Sequence, residues 1–304
     1  MKLLHLFLLF PSLTWANSTE TISQLLSQQP FLEERQIEAI PYTECKIRKN
    51  FSSSGKEIVS HLVSSGFKCE EKSVSDCRYT ECNGEASFYP GPLYFAIPSN
   101  FSEVRLHFHG HILNTNTSRR FEGSPSQMMA GFNLQKNLCE SQEAVVIPAS
   151  VGRNETYKNT FTSATAWEQF TSGIGGLLKL KEPLFHLSGH SGGGKYVALA
   201  LAQNVPSQKV SLYDGFYAPE TLETIDQFIQ KKGGQVFLSA VAQGSPDNYV
   251  MGLVKKLQLK GQNKTIKGIS YTHYSGPDFS YYRRTQGADL AHFLVLTETW
   301  SLGE

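Results

Sequence analysis

Residues 183–202 constrain this chain more than any other stretch. The apolar segment Pro183-Leu-Phe-His-Leu-Ser188 runs into Gly189-His190-Ser191-Gly192-Gly193-Gly194, and Lys195-Tyr-Val-Ala-Leu-Ala-Leu-Ala202 follows with strong helix formers. A serine on so sharp a strand-to-helix turn is held in a strained backbone, and only glycines two residues to either side leave room for it. Two other readings of the glycines compete. One is a plain surface loop. The other is a phosphate-cradling loop, since Gly189 to Lys195 spells Gly-x-x-x-x-Gly-Lys, but Tyr196 stands where a compact magnesium ligand is required.

The rest of the chain supplies a setting for such a turn. From Pro90 onward, short apolar runs alternate with amphipathic stretches, which predicts strand and helix units building a mostly parallel sheet. Strands are expected at 93–97, 104–108, 144–148, 184–187, 210–213, 236–242 and 266–272. Helices are expected near 124–138, 164–180, 192–203, 219–231, 246–259 and 291–300. Residues 17–89 read differently, as a polar, helical, cysteine-bearing extension with Ile58, Leu62 and Val63 at helical spacing. The expected organisation is therefore residues 1–16 as a leader, 17–89 as the extension and 90–304 as a doubly wound α/β domain.

The leader is read from Lys2 followed by Leu3-Leu4-His5-Leu6-Phe7-Leu8-Leu9-Phe10, closing on Thr14-Trp15-Ala16 with small residues at the cleavage positions. The run is about half the ~20 residues a spanning helix needs, so a cleaved signal peptide is expected and no transmembrane segment. The expected location is secreted or periplasmic, where thiols oxidise. Of Cys45, Cys69, Cys77, Cys82 and Cys139, the first four are expected to form two bridges and Cys139 to be a buried thiol. The spacing of Cys69, Cys77 and Cys82 lacks the paired knuckle of a zinc site. Six sequons, at Asn17, Asn50, Asn100, Asn116, Asn154 and Asn263, match the glycosylation pattern. With 28 Lys plus Arg against 27 Asp plus Glu the net charge is +1, and no basic stripe suits nucleic acid.

With the elbow and its flanking elements in view, residues 90 to 304 resemble the α/β-hydrolase superfamily, whose members run in the order serine, acid, histidine. A serine hydroxyl needs an imidazole to take its proton, and the imidazole needs a carboxylate to fix its tautomer. The resemblance implies Ser191 as nucleophile. His292 is favoured as base because it follows the last expected strand by a loop, with His273 in Ser270-Tyr-Thr-His-Tyr274 as the alternative. Asp214 and Asp247 each follow a strand. Asp247, after Ser245-Pro246, also suits a helix cap, whereas Asp214-Gly215-Phe216-Tyr217 looks like an Asp-x-x-Tyr turn of exported bacterial members, so Asp214 is preferred. Asp289 ranks third. The His-Gly pair at His109-Gly110 leads into the loop that completes the oxyanion hole in that superfamily, which implies donors from His111 and Gly192.

The expected function is hydrolysis of a carboxylic ester or related acyl bond through a Ser-His-Asp triad and an acyl-enzyme. Its substrate would be a small molecule or an acylated polymer, with no cofactor and no metal. Alternatives are a serine peptidase or amidase of the same fold and a non-catalytic exported binding protein. A third is a metal-dependent hydrolase, because alternation along Val104-Arg-Leu-His107-Phe-His109-Gly110-His111 would put three histidines on one face. No carboxylate follows them, as that motif would require. The sequence leaves oligomeric state open.

Overall fold

A computed structural model describes residues 53–74, 76–110, 134–149, 157, 160–217, 219–232, 234–241, 269–274, 296 and 300. The expected leader, Cys45 and the expected helix at 246–259 lie outside the described residues. Among the described residues a nine-stranded sheet dominates. In chain order its strands are β2 (Lys68–Val74), β3 (Cys77–Ala86), β4 (Tyr89–Pro98), β6 (Glu103–Phe108), β7 (Glu143–Pro148), β8 (Phe185–His190), β9 (Ser207–Tyr213), β10 (Gln235–Val241) and β11 (Ile269–Tyr274). Short strands β1 (Ser53–Ser54) and β5 (Asn100–Phe101) pair separately.

The spatial order is β11-β10-β9-β8-β6-β7-β4-β3-β2. Every pairing from β7 through β11 is parallel, and β2, β3 and β4 form an antiparallel meander joined to β7. The chain leaves β6 toward β7 on one side and returns to β8 on the other. The crevice between the ends of β6 and β8 is thus the switch point where open α/β sheets place their sites.

One sheet face carries the apolar core. Val104, Leu106 and Phe108 of β6, Phe185 and Leu187 of β8, and Val210 and Leu212 of β9 alternate onto it. They pack against Ile58 and Leu62 of α1 (Gly55–Ser64), Trp167, Phe170 and Ile174 of α3 (Ala164–Leu177), Val197 and Ala200 of α4 (Gly193–Ala202), and Ile225 and Phe228 of α5 (Pro219–Lys232). Phe161 stacks on Trp167 at 4.2 Å between centroids and fills the middle of this layer. Ser163 caps α3 by accepting from the Ala166 N–H at 3.2 Å.

The opposite face is polar yet equally buried. Arg105 donates from Nε to Glu143 Oε2 at 2.7 Å, and Glu143 Oε1 meets His186 Nδ1 at 2.6 Å. His186 Nε2 in turn lies 2.7 Å from Ser211 Oγ. Arg105 also donates to the Tyr213 hydroxyl at 3.0 Å, and its guanidinium lies 4.2 Å over the Trp300 ring. Here no single ion is left alone in low dielectric, which is the condition for tolerating buried charge.

Three expectations change. The boundary at residue 90 falls inside the sheet, because residues 68–86 form β2 and β3 rather than helix; only α1 follows the helical expectation. Their polarity misled, since β2 is an edge strand with Lys68, Glu70 and Glu71 exposed, and such charges discourage edge pairing. The bridges are Cys69–Cys82 and Cys77–Cys139, so Cys139 is not a thiol. Cys69 and Cys82 face each other across the β2/β3 ladder, while Cys77 ties β3 to α2 (Leu138–Ser141). Finally, β8 and β11 end later than expected, and β8 runs on to His190 because its backbone stays in register with β9 up to Tyr213.

The polar face predicts acid sensitivity. Burial holds His186 at about 4, down from 6.5; the Arg105 charge adds to this and Glu143 opposes it. Burial opposes ionisation of Glu143, but Arg105 and His186 outweigh it and hold the carboxyl at about 2, below 4.5. An unfolded chain takes up protons at both groups that the folded chain refuses. Stability therefore falls as pH drops from 6.5 towards 4 through His186, and from 4.5 towards 2 through Glu143. Unfolding midpoints measured across pH 7 to 4 should decline, with a shallower slope in His186→Gln; a flat wild-type profile would contradict the assignment.

Candidate active site

Strand β8 delivers Ser191 at its carboxyl end with a φ of +54°, in the left-handed region that a serine rarely occupies. The turn is pinned at both ends. The Ser191 N–H donates to Tyr213 O at 3.1 Å, and the Gly194 N–H donates to Ser191 O at 3.0 Å. Helix α4 starts immediately, with Gly192 as its N-cap, so the Gly192 N–H lies outside the helix's own ladder.

The glycines are required by close backbone approach. A Cβ on Gly193 would collide with Phe108 O, and one on Gly194 with Gly215 O. A Cβ on Gly189 would sit 2.8 Å from the Gly193 carbonyl carbon. Gly110, just beyond β6, lies against the serine itself, since a Cβ there would be 2.5 Å from Ser191 Cβ and 3.0 Å from Oγ. The segment after β6 is thereby brought to the elbow. The chain has the α/β-hydrolase fold.

No family model and no curated protein matches this chain. Solved structures with a similar course include an S-formylglutathione hydrolase from Agrobacterium tumefaciens, 13% identical over 76% of this chain and 97% of that one, with a TM-score of 0.40. An acetyl xylan esterase from Thermoanaerobacterium is 12% identical over 80% and 92%, with a TM-score of 0.39. A poly(3-hydroxybutyrate) depolymerase from Bordetella parapertussis is 11% identical over 83% and 96%, with a TM-score of 0.42.

Next to Ser191, the end of β9 supplies Asp214. It too has a positive φ, +43°, and is only 5% exposed. Its N–H donates to Ser239 O at 2.8 Å, which fixes the turn against β10. Gly215 packs back on the elbow, and a Cβ there would lie 3.2 Å from Ser191 O. Two residues on, Tyr217 stands within electrostatic reach of Asp214. Burial and the adjoining Asp214 carboxylate push that phenol well above its usual range, so it stays protonated. Ser191 and Asp214 are thus brought together at neighbouring strand ends. Asp247, Asp289, His111 and His292 lie outside the described residues. His273 sits near the end of β11, its Cα opposite Ala240 of β10.

His107 of β6 and His109, just beyond its end, have different surroundings. His107 is buried, with Nδ1 2.9 Å from Ser188 Oγ and its ring 5.0 Å from Trp300. Burial and the neighbouring histidines and Arg105 hold it well below its usual range, hence neutral. His109 packs instead on Tyr157, at 5.3 Å, with Nδ1 2.8 Å from Gly110 O. Strand alternation extends no further than Phe108, where β6 ends. Among the described residues the group spaced to hold a metal is Glu103, Glu143 and His186, which already answers Arg105 and Lys209. The sequence reading named Tyr217 only as part of the Asp-x-x-Tyr turn after β9.

Steric demand at the elbow separates two alanine variants. Gly193→Ala should cost about 1–3 kcal/mol, because backbone on both sides must move. Gly176→Ala, in the last turn of α3 with open space around it, should be neutral or stabilising by up to about 1 kcal/mol. Denaturant midpoints for both variants check this, and equal effects would contradict it.

Proposed function

We propose that this chain is an exported serine hydrolase that cleaves a carboxylic ester or a related acyl bond. The observation that carries the reading is Ser191 held at a left-handed φ on a glycine-packed elbow, with Asp214 at the next strand end and Gly215 packed against Ser191 O. The left-handed turn lifts the hydroxyl out of the sheet end, where an acyl carbonyl can reach it.

In the proposed mechanism Ser191 Oγ attacks the carbonyl carbon while His292 takes its proton. Asp214 orients His292 and stabilises the imidazolium. Collapse of the tetrahedral intermediate expels the alcohol, which receives the proton from His292, and leaves an acyl group on Ser191. Water, activated by the same histidine, then releases the acid. The Gly192 N–H lies at the N-cap, outside the helix's own ladder, where it can face the developing oxyanion, and the approach of Gly110 to Ser191 supports a second donor from His111. An ester is preferred over an amide because an alcohol leaving group needs less protonation than an amine. The leader at residues 1–16 and the two disulfides are compatible with export, which would give the enzyme access to small esters or acylated polymers outside the cytoplasm.

A fluorophosphonate probe on purified protein, with and without chelator, tests this reading. The adduct should map to Ser191, be indifferent to chelator and vanish in Ser191→Ala. Asp214→Asn should lower turnover by about 10⁴, and Asp247→Asn far less. A well-folded sample that neither labels nor hydrolyses esters would refute the assignment, and a reversed ranking would move the acid to Asp247.

A further inference from the structure

One buried hydroxyl ties the ends of two strands together near Ser191. The Tyr157 O–H donates to Pro148 O, the last carbonyl of β7, at 3.0 Å. The same oxygen accepts from the His109 N–H, just beyond β6, at 3.3 Å. The Tyr157 ring packs edge-on to Phe108 at 5.5 Å, tilted against His109 at 5.3 Å, and edge-on to Tyr196 of α4 at 4.7 Å. His109 passes the constraint on. A carbonyl can only accept, so His109 Nδ1 carries the ring proton and donates it to Gly110 O at 2.8 Å. Gly110 in turn lies against the nucleophile, where an added Cβ would be 2.5 Å from Ser191 Cβ.

We propose that Tyr157 is a positioning residue for the oxyanion side of the site, holding His109-Gly110 in place against Ser191 through the His109 N–H. This rests on the serine-hydrolase reading. Two hydrogen bonds fix successive parts of the backbone: the one to Tyr157 holds the amide entering His109, and the one from the His109 ring holds the carbonyl of Gly110. In a trans peptide the C=O and the N–H that follows it point in opposite directions. A Gly110 carbonyl turned to the His109 ring therefore directs the next N–H, the second proposed oxyanion donor, away from that ring. Such a donor contributes most when it is set before charge develops on the substrate oxygen and need not reorganise. Tyr157 touches no substrate atom in this scheme; it acts through the backbone after β6, with Pro148 of β7 as its fixed point. Burial, with Tyr89 and Tyr196 adding to it, holds the phenol above its usual range, so the hydroxyl keeps its proton for Pro148 O.

Tyr157→Phe keeps the ring and removes the bridge. The test compares p-nitrophenyl acetate with its thiono analogue, in which sulfur replaces the carbonyl oxygen. Sulfur is larger and a poorer acceptor, so donors set for oxygen favour the ester, and misplacing one of them narrows that preference. In Tyr157→Phe, kcat/KM for the ester should fall about tenfold or more and for the thionoester by no more than about threefold, with fluorophosphonate labelling retained at Ser191. Tyr89→Phe is the control, because its hydroxyl donates to Ala149 O, one residue past Pro148, at 2.5 Å. It should lower the unfolding midpoint, as the loss of a buried hydrogen bond does, yet leave the ester preference at the wild-type value. Should Tyr157→Phe fail to fold, His109→Phe carries the same expectation, since it keeps an aromatic ring against Tyr157 and removes the bond to Gly110 O. An unchanged ester preference in the folded variant, or an equal narrowing in Tyr89→Phe, would overturn the proposal and leave the hydrolase reading intact. Absence of labelling in the wild type would overturn both.

Discussion

Everything at the site depends on how closely two backbones approach at the end of β8. Phe108 O of β6 and Gly215 O beyond β9 occupy the space where side chains of Gly193 and Gly194 would otherwise be. That contact draws three chain segments to one point: the end of β6, the elbow and the turn after β9. Ser191 takes a left-handed φ because the strand must become a helix within two residues there. The strain is local, and the hydrogen bonds at Tyr213 O and Gly194 N–H hold it in place.

The two faces of the sheet support this point in different ways. The apolar face anchors α3 and α4 through Trp167, Phe170, Val197 and their neighbours, which fixes the helix that begins at the elbow. The polar face runs from Glu143 through Arg105 and His186 to Ser211 and Tyr213, crossing β7, β6, β8 and β9. Tyr213 OH also donates to Trp300 O at 3.2 Å, so the far end of the chain is tied to the strand that carries Asp214. His107, on the same face, joins Ser188 to Trp300. Breaking this network by removing one partner would leave a buried charge without compensation, which costs more than the network contributes as a whole.

Much of this was legible in the sequence, for identifiable reasons. The strand-glycine-helix run around Ser191 could be read because its steric demand is local, and the parallel strands because their buried apolar runs are continuous. Asp214 could be read as a strand-end acid for the same reason. What escaped were features set by distant partners. Strands β2 and β3 look like polar extension because an edge strand needs little apolar sequence, and the Cys77–Cys139 bridge spans 62 residues that no local pattern connects. Arg105 and His186 stand inside apolar strands, a visible anomaly whose meaning depends on Glu143, 38 and 43 residues away. The expected histidine alternation ran past the end of β6, and a strand end is decided by tertiary contact rather than by periodicity.

The proposed mechanism requires Ser191 to carry the acyl group during turnover. Rapid mixing with a short-chain nitrophenyl ester, acid quench within the burst and peptide mapping by mass spectrometry would test it most directly. The expected result is an acyl mass increment on the peptide containing Ser191, localised to that residue and decaying as free acid is released. Ester turnover at a comparable rate with no acyl adduct on Ser191 at any quench time would contradict it.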